Sequence, residues 1–361
     1  MNALAIVGRR LKSQRISGSA ASTPDQVVRG LGAMQAQEYP VAKWSIGMRT
    51  AGGSSDAALD QALADGLILR THILRPTWHF VLPADIRWMQ QLTAARVQAR
   101  MALYQRRLGL DEAIHQATNR ALSRILDGGK RLTRREILPL LQDRGIAVDG
   151  ERLGHLMLRA ELDLLVCSGG LKGRQHTYAL LDEIVPAASP MPREVGLAEL
   201  TRRYFTGHGP ATATDFAWWS GLTMADVRRG LELVRGQLES VMVADRTLWF
   251  ASIPDVPADP SPTAHLIQGY DEFIIGYSQS RHLVDLASLY TAAPVRETLP
   301  LHAVLLDGQV VARWRRLPGP KSTVIQVQLG RQLAPPEFDA LKRGVDRYAR
   351  FLGVPLSLQV P

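Results

Sequence analysis

Stretches with apolar residues at helical spacing and short stretches alternating between apolar and polar follow one another three times along this 361-residue chain. Residues 3–14, 23–35 and 55–64 read as helices, the second capped by Thr23 with Pro24 at its first position, the third capped by Ser54 or Ser55. Residues 68–82 (ILRTHILRPTWHFVL) then read as two β-rich segments around Arg75-Pro76. The order returns with helices over 111–126, 133–143 and 149–162, the middle one opened by a Thr133…Glu136 capping box. Its hairpin, 164–168 with 176–181, is expected to turn at Gly169-Gly170. A third round places helices at 196–205, 212–220 and 223–234, and a hairpin at 239–243 and 247–251 across Ala244-Asp245-Arg246.

Three helices followed by a two-stranded wing, three times over, predict tandem winged-helix motifs. Residues 253–263, rich in proline, read as a semi-rigid linker. Beyond them strands are expected at 302–306, 310–316 and 323–329, with Asp307-Gly308 as a hairpin turn, then a helix over 336–351 and a last strand at 355–360. The fold class expected is α+β: a first winged helix in residues 1–110, a second in 111–190, a third in 191–252, and a small β-barrel-like domain in 264–361.

Composition narrows the class. A chain 46% hydrophobic and 21% charged is that of a soluble globular protein. No run approaches the roughly 18 apolar residues of a spanning helix, and the N-terminal residues lack a signal-peptide core and cleavage site. The single cysteine, Cys167, excludes an intramolecular disulfide, and its apolar surroundings (LDLLVCSGG) suit a buried structural thiol. These features predict a cytoplasmic protein. The net charge of +9 and pI near 10 suit a polyanion, although an arginine bias with lysine only at 12, 43, 130, 172, 321 and 342 also follows from GC-rich codon usage.

The candidate chemistry lies in Met34-Gln35-Ala36-Gln37-Glu38-Tyr39-Pro40. Pro40 biases Tyr39 away from the α region, so the helix before it is expected to end here. In extended chain, residues i and i+2 point to one side, so Gln35 and Gln37 would present two amides to one spot. In a continuous helix they would stand about 200° apart. A paired amide orients a water but is no strong base, which limits the chemistry to good leaving groups. The plain alternative is two surface glutamines at a helix end.

Other residues were weighed in the same way. His72 and His79 flank the Arg75-Pro76 turn and could approach each other across a hairpin, but no third ligand is at hand, so packing or hydrogen bonding is expected rather than a metal. Trp78 and Phe80 are expected to face the core, and Arg70 and Arg75 to reach phosphates. Asp271 is the candidate supporting carboxylate beside the glutamines; the alternative for Asp271 and Glu272 is a salt bridge with Arg281 or with a neighbouring winged helix. Arg315, Arg316 and Lys321 flank Pro318-Gly319-Pro320 in a basic loop placed to meet a duplex or solvent. Trp218 and Trp219 occupy adjacent helical positions, so at most one is exposed, and core is the default for both. No phosphate-binding loop exists: Gly207-His208-Gly209-Pro210 lacks the strand, helix and lysine that such a site requires.

Taken together, the tandem repeat, the tract LGAMQAQEYP, the segment RTHILRPTWHFVLPAD and the segment QGYDEFIIGYSQSR resemble the winged-helix DNA glycosylase superfamily, in its AlkZ-like, azinomycin-resistance branch. Gln35 and Gln37 match the two glutamines of that family's Gln-Φ-Gln motif, and Ala36 is smaller than the apolar residue often found between them. A related bacterial branch carries Gln-x-Asp. The resemblance implies a monofunctional glycosylase that excises N7-alkylguanine from double-stranded DNA, including bulky adducts and, in some members, interstrand crosslinks. It implies Gln35 and Gln37 holding the water at C1′; no cofactor or metal is expected, and a monomer associated with the nucleoid is the default. The alternative is a non-catalytic regulator or architectural factor built from the same repeats.

Overall fold

The computed structural model describes residues 1–18, 20–252, 260–289, 302–318 and 323–360. Helix α1 (Ala3–Ser13) is capped by the Asn2 side chain, which accepts from Ala5 N. Helix α2 (Pro24–Leu31), strand β1 (Met34–Gln35), helices α3 (Tyr39–Gly47) and α4 (Asp56–Ala64) and the hairpin β2 (Leu69–His72) with β3 (Trp78–Val81) form the first unit. The expected helix over 23–35 stops at Leu31, where Gly32 takes φ 81°. Pro40 does not merely end a helix: it sits in the first turn of α3, where its missing N–H has no partner to lose. Thus α1 is an addition, and α2, α3 and α4 are the three helices of this unit.

A 25-residue helix, α5 (Pro83–Arg107), leads out of it and was not foreseen. The second unit holds α6 (Glu112–Leu126), β4 (Leu132–Thr133), α7 (Arg134–Gln142), α8 (Gly150–Leu162), β5 (Val166–Lys172) and β6 (Gln175–Leu180), with the predicted capping box at Thr133. Its hairpin turns at Gly173, not at Gly169-Gly170. Those two glycines form a bulge, marked by a register shift between Ser168 and Leu171. A Cβ on Gly169 would lie 2.8 Å from Thr177 Oγ1, so close cross-strand packing, not a turn, demands glycine there.

After α9 (Leu181–Ile184), the third unit holds α10 (Arg193–Gly207), α11 (Ala213–Ser220), α12 (Met224–Leu233), β7 (Glu239–Val243) and β8 (Arg246–Phe250). All three units share one order. A short strand precedes the last two helices and pairs with the second strand of the hairpin: β1 with β3, β4 with β6, and the isolated bridge Ala211–Trp249 on β8.

The C-terminal part contains β9 (Ala264–Ile267), α13 (Glu272–Ile275), β10 (His302–Leu306), β11 (Gln309–Pro318), β12 (Thr323–Leu329), α14 (Pro335–Leu352) and β13 (Leu356–Gln359). Residues 253–259 of the expected linker lie outside the described residues. The sheet runs β13-β12-β11-β10-β9, open at both edges: a half-barrel rather than a closed one. Asp307 and Gly308, at φ 48° and 85°, make the expected turn.

Hydrophobic packing crosses these segments. One core joins α2, α3 and β3 to the C-terminal sheet and α14, with Trp44, Trp314, Tyr348 and Phe351 at its centre. A second joins the other face of β2–β3 to α5, α10, α11 and α12. Cys167 is buried. Among the described residues no helix is long and apolar enough to cross a membrane.

Gly221 ends α11 at φ 71°, and a Cβ there would lie 2.3 Å from Leu74 O. Gly221→Ala should therefore lower stability by roughly 2 kcal/mol or more in a denaturant titration. A midpoint equal to the wild type would show that this contact relaxes freely.

Candidate active site

Gln35 lies where the first unit meets the C-terminal segment. In β1 it pairs with His79, and the strand continues one step further as Ala36 N donates to Trp78 O at 2.7 Å. Ala36 is fully buried against the core, whereas Gln35 keeps 7% exposure and Gln37 is exposed. Both amide carbonyls are held from the β2–β3 hairpin, one by its loop and one by the first residue of β3. Gln35 Oε1 accepts from Arg75 Nη2 at 2.9 Å, and Gln37 Oε1 from Trp78 N at 3.3 Å. Arginine is only a donor, so the Gln35 atom facing it is the carbonyl oxygen and its NH2 faces elsewhere. No group among the described residues accepts from that NH2.

The loop is held tightly. Leu74 takes φ 64°, Arg75 N donates to Ile73 O, and Thr77 N donates to Arg75 O. Burial lowers the Arg75 pKa, Glu272 opposes this, and Arg100 and Arg281 add to it. His79 is fully buried; with Nδ1–H donating to Thr77 O at 2.9 Å, its Nε2 lone pair faces Arg75 Nη2 at 3.5 Å. Burial, reinforced by Arg75, holds its pKa well below the ordinary value, so it stays neutral.

The carboxylate that reaches the motif is Glu272. Its Oε1 accepts from Gln35 N at 2.7 Å, and its Oε2 accepts from Trp219 Nε1 at 2.8 Å and faces His208 Nε2 at 3.2 Å. Asp271, the residue expected to assist the glutamines, instead forms a two-pronged ion pair with Arg49 at 2.7 and 2.8 Å. Burial would raise the Asp271 carboxyl, but Arg49, the Ser45 hydroxyl and Phe273 N–H bring it below the usual range. Asp271 also caps α13, so Glu272, the next residue, must point another way. The alternative expectation of a salt bridge therefore describes Asp271, its partner Arg49 coming from the first unit, two residues beyond α3, and not from Arg281. Of the two adjacent acids it is Glu272 that contacts the motif, and the N-cap rule is the signal that separates them.

The remaining candidates scatter. Arg70 is buried, its Nε donating to Ala36 O at 3.1 Å and its guanidinium lying 4.1 Å over the Trp78 ring; burial brings its pKa down to about 10. His72 bonds Glu161 at 2.5 Å through Nδ1 and packs on Trp78, the rings tilted by 43° with centroids 4.0 Å apart. Thr71, not His72, pairs with His79, so the two histidines occupy opposite faces of the sheet and do not meet. Phe80 is in the core as expected, and Trp78 is half-buried. Arg315 and Arg316 are exposed on β11, and Lys321 lies outside the described residues. Among the described residues, no group of three His, Cys, Asp or Glu is arranged to hold a metal ion. Trp219 is fully buried, but Trp218 is 48% exposed, against the expectation of core for both.

A family model described as "DNA glycosylase AlkZ-like" matches residues 28–351. The chain is similar in structure to Streptomyces sahachiroi DNA glycosylase AlkZ, with a TM-score of 0.83, 21% identity and 100% of each chain covered. No curated protein sequence matches.

Glu272→Ala would leave the Gln35 N, Trp219 Nε1 and His208 Nε2 positions without their acceptor, and should destabilise by roughly 3 kcal/mol in chemical denaturation. A loss under about 1 kcal/mol would mean that water takes over the role. Acid offers a second test. His79 is depressed well below 6.5, His176 to about 4, His265 to about 3 and His302 to about 4, in each case chiefly by burial. Each binds its proton more readily when unfolded, so stability is lost as pH falls below 6.5. The depressed carboxylates act only below 4.5, and Glu38, raised by burial, is one group working the other way. Melting temperature should therefore fall between pH 7.5 and 5; an unchanged midpoint would contradict this.

Proposed function

The chain belongs to the AlkZ-like DNA glycosylase family, and from that premise we propose that it is a monofunctional enzyme hydrolysing the N-glycosidic bond of N7-alkylguanine in duplex DNA, with water held by Gln35 and Gln37. The observation that carries this reading is the fixed polarity of the Gln35 amide. Arg75 holds its carbonyl, leaving the NH2 to donate to a water, while the exposed Gln37 carbonyl has a second lone pair to accept from one. A water so held keeps a lone pair for C1′.

Alkylation at N7 makes the purine cationic. As the C1′–N9 bond breaks, its electron pair neutralises the base, which leaves without needing a general acid. Water oxygen forms the new bond to C1′ and its proton passes to solvent. Carboxylate-based glycosidases need an acid because their leaving group is poor. An amide pair suffices here, and unmodified guanine resists. Bulky adducts and crosslinks through N7 belong to the same leaving-group class.

The three helix-and-hairpin units read as winged helices that grip the duplex, and the protein acts as a monomer in the cytoplasm at the nucleoid. Arg315, Arg316 and the loop carrying Lys321 meet phosphates, consistent with the net charge of +9. Arg70, Arg75 and His79 are buried and serve from beneath, holding the glutamine-bearing segment in place, while buried His72 is paired with Glu161.

The test is release of base from a duplex carrying one N7-methylguanine, read as alkali-labile sites. Removing an oriented transition-state contact costs on the order of a hundredfold, so Gln35→Ala with Gln37→Ala should lose at least that much rate while duplex affinity stays within a few-fold. Base release by the double variant at the wild-type rate would remove the glutamines from the chemistry. Salt-sensitive binding without release by either protein would favour the non-catalytic reading.

A further inference from the structure

Trp218 is 48% exposed, yet it is not a loose surface side chain. Its indole N–H donates to Ile275 O at 3.1 Å, and Ile275 closes the single turn of α13. The same turn begins with Glu272, which holds Gln35 N. A second tie runs through Arg75: Nη2 donates to Gln35 Oε1 at 2.9 Å and Nη1 to Trp218 O at 3.5 Å. Gln35 and Trp218 are thus joined twice, once through α13 and once through a single guanidinium. An indole fixed through its N–H and still 48% exposed is a rigid aromatic platform with surface left for a further contact, at little entropic cost.

The charges around the ring decide what it can carry. The Arg75 and Arg281 guanidinium carbons lie 5.9 and 6.0 Å from its centroid. Arg281 is itself fixed, Nε and Nη2 donating to Tyr277 O at 3.0 and 2.7 Å. Exposed Arg100, on α5, is near enough to act electrostatically on Arg75. A cationic alkylpurine on this ring would add a third positive charge beside two arginines. An uncharged base meets no such repulsion, and its phosphates are attracted to the same arginines.

We propose that Trp218 is a stacking platform for an uncharged nucleobase next to the lesion, a positioning residue that sets the duplex against Gln35. This rests on the glycosylase reading for its location but not for its measurement. Base–aromatic stacking is worth on the order of tenfold in affinity.

The experiment is carried out in the Gln35→Ala/Gln37→Ala background, so that base release does not intervene. Trp218→Ala and Trp218→Phe are titrated with duplexes with and without one N7-methylguanine, following anisotropy and intrinsic emission. Trp218→Ala should weaken both duplexes by about tenfold and to the same extent, with Trp218→Phe near the parent. DNA should quench the parent's emission, and that quenching should shrink in Trp218→Phe. Equal quenching in parent and Trp218→Phe, or unchanged affinity in Trp218→Ala, overturns the platform. A loss confined to the alkylated duplex overturns the uncharged occupant, because the lesion itself would then be on the ring. If the wild type releases no base while quenching at Trp218 persists, the glycosylase reading fails and the platform stands.

Discussion

Two adjacent buried acids, Asp271 and Glu272, constrain the molecule more than any other pair. Each is 1% exposed, and each meets a different part of the chain. Asp271 pairs with Arg49 at the end of α3, while Glu272 receives Gln35 N from β1 and Trp219 from α11. A buried carboxylate deprived of its partner costs several kcal/mol, so the segment has essentially one position compatible with both. Neighbouring contacts agree: Asp215 accepts from the backbone N–H groups of Ser278, Gln279 and Ser280, and Arg10 from α1 donates to Ser280. The first unit, the third unit and the C-terminal half-barrel are docked through the segment from Gln268 to Arg281, which includes the single turn of α13.

That docking shapes the electrostatics of the site. Arg75, the cation nearest Gln35, is placed where Glu272 favours its charged form. Arg100 and Arg281 oppose that charge, so Arg75 stands between one acid and two bases. The two glutamines are unequal in consequence: Gln35 is immobilised through both backbone and side chain, Gln37 through one long contact at the surface.

Much of the fold was legible because it is decided locally. The caps at Ser55 and Thr133 act within three residues and were read as caps, and the helix starts read at 111, 149, 212 and 223 fall within one position of the observed ones; Thr23, also read as a cap, makes no side-chain cap bond. The errors share a cause. α3 was hidden because a proline ahead of an apolar stretch both ends one helix and starts the next. α5 was hidden because its weak amphipathicity reflects packing against several elements at once. Gly169-Gly170 looked like a turn because a bulge and a turn ask the same of glycine.

The sequence alone thus determined the repeated helix-and-hairpin order, the Gln35–Gln37 motif, its family, and the absence of a second cysteine for any disulfide. Only tertiary structure decided that Glu272 rather than Asp271 reaches Gln35, that Arg75 orients its amide, that His72 and His79 face apart, and that Trp218 rather than Trp219 is left exposed. The physical reason is range. A cap or a two-residue turn is satisfied by groups a few bonds away, whereas Gln35 and Glu272 are 237 residues apart and meet only once the buried charges have been matched.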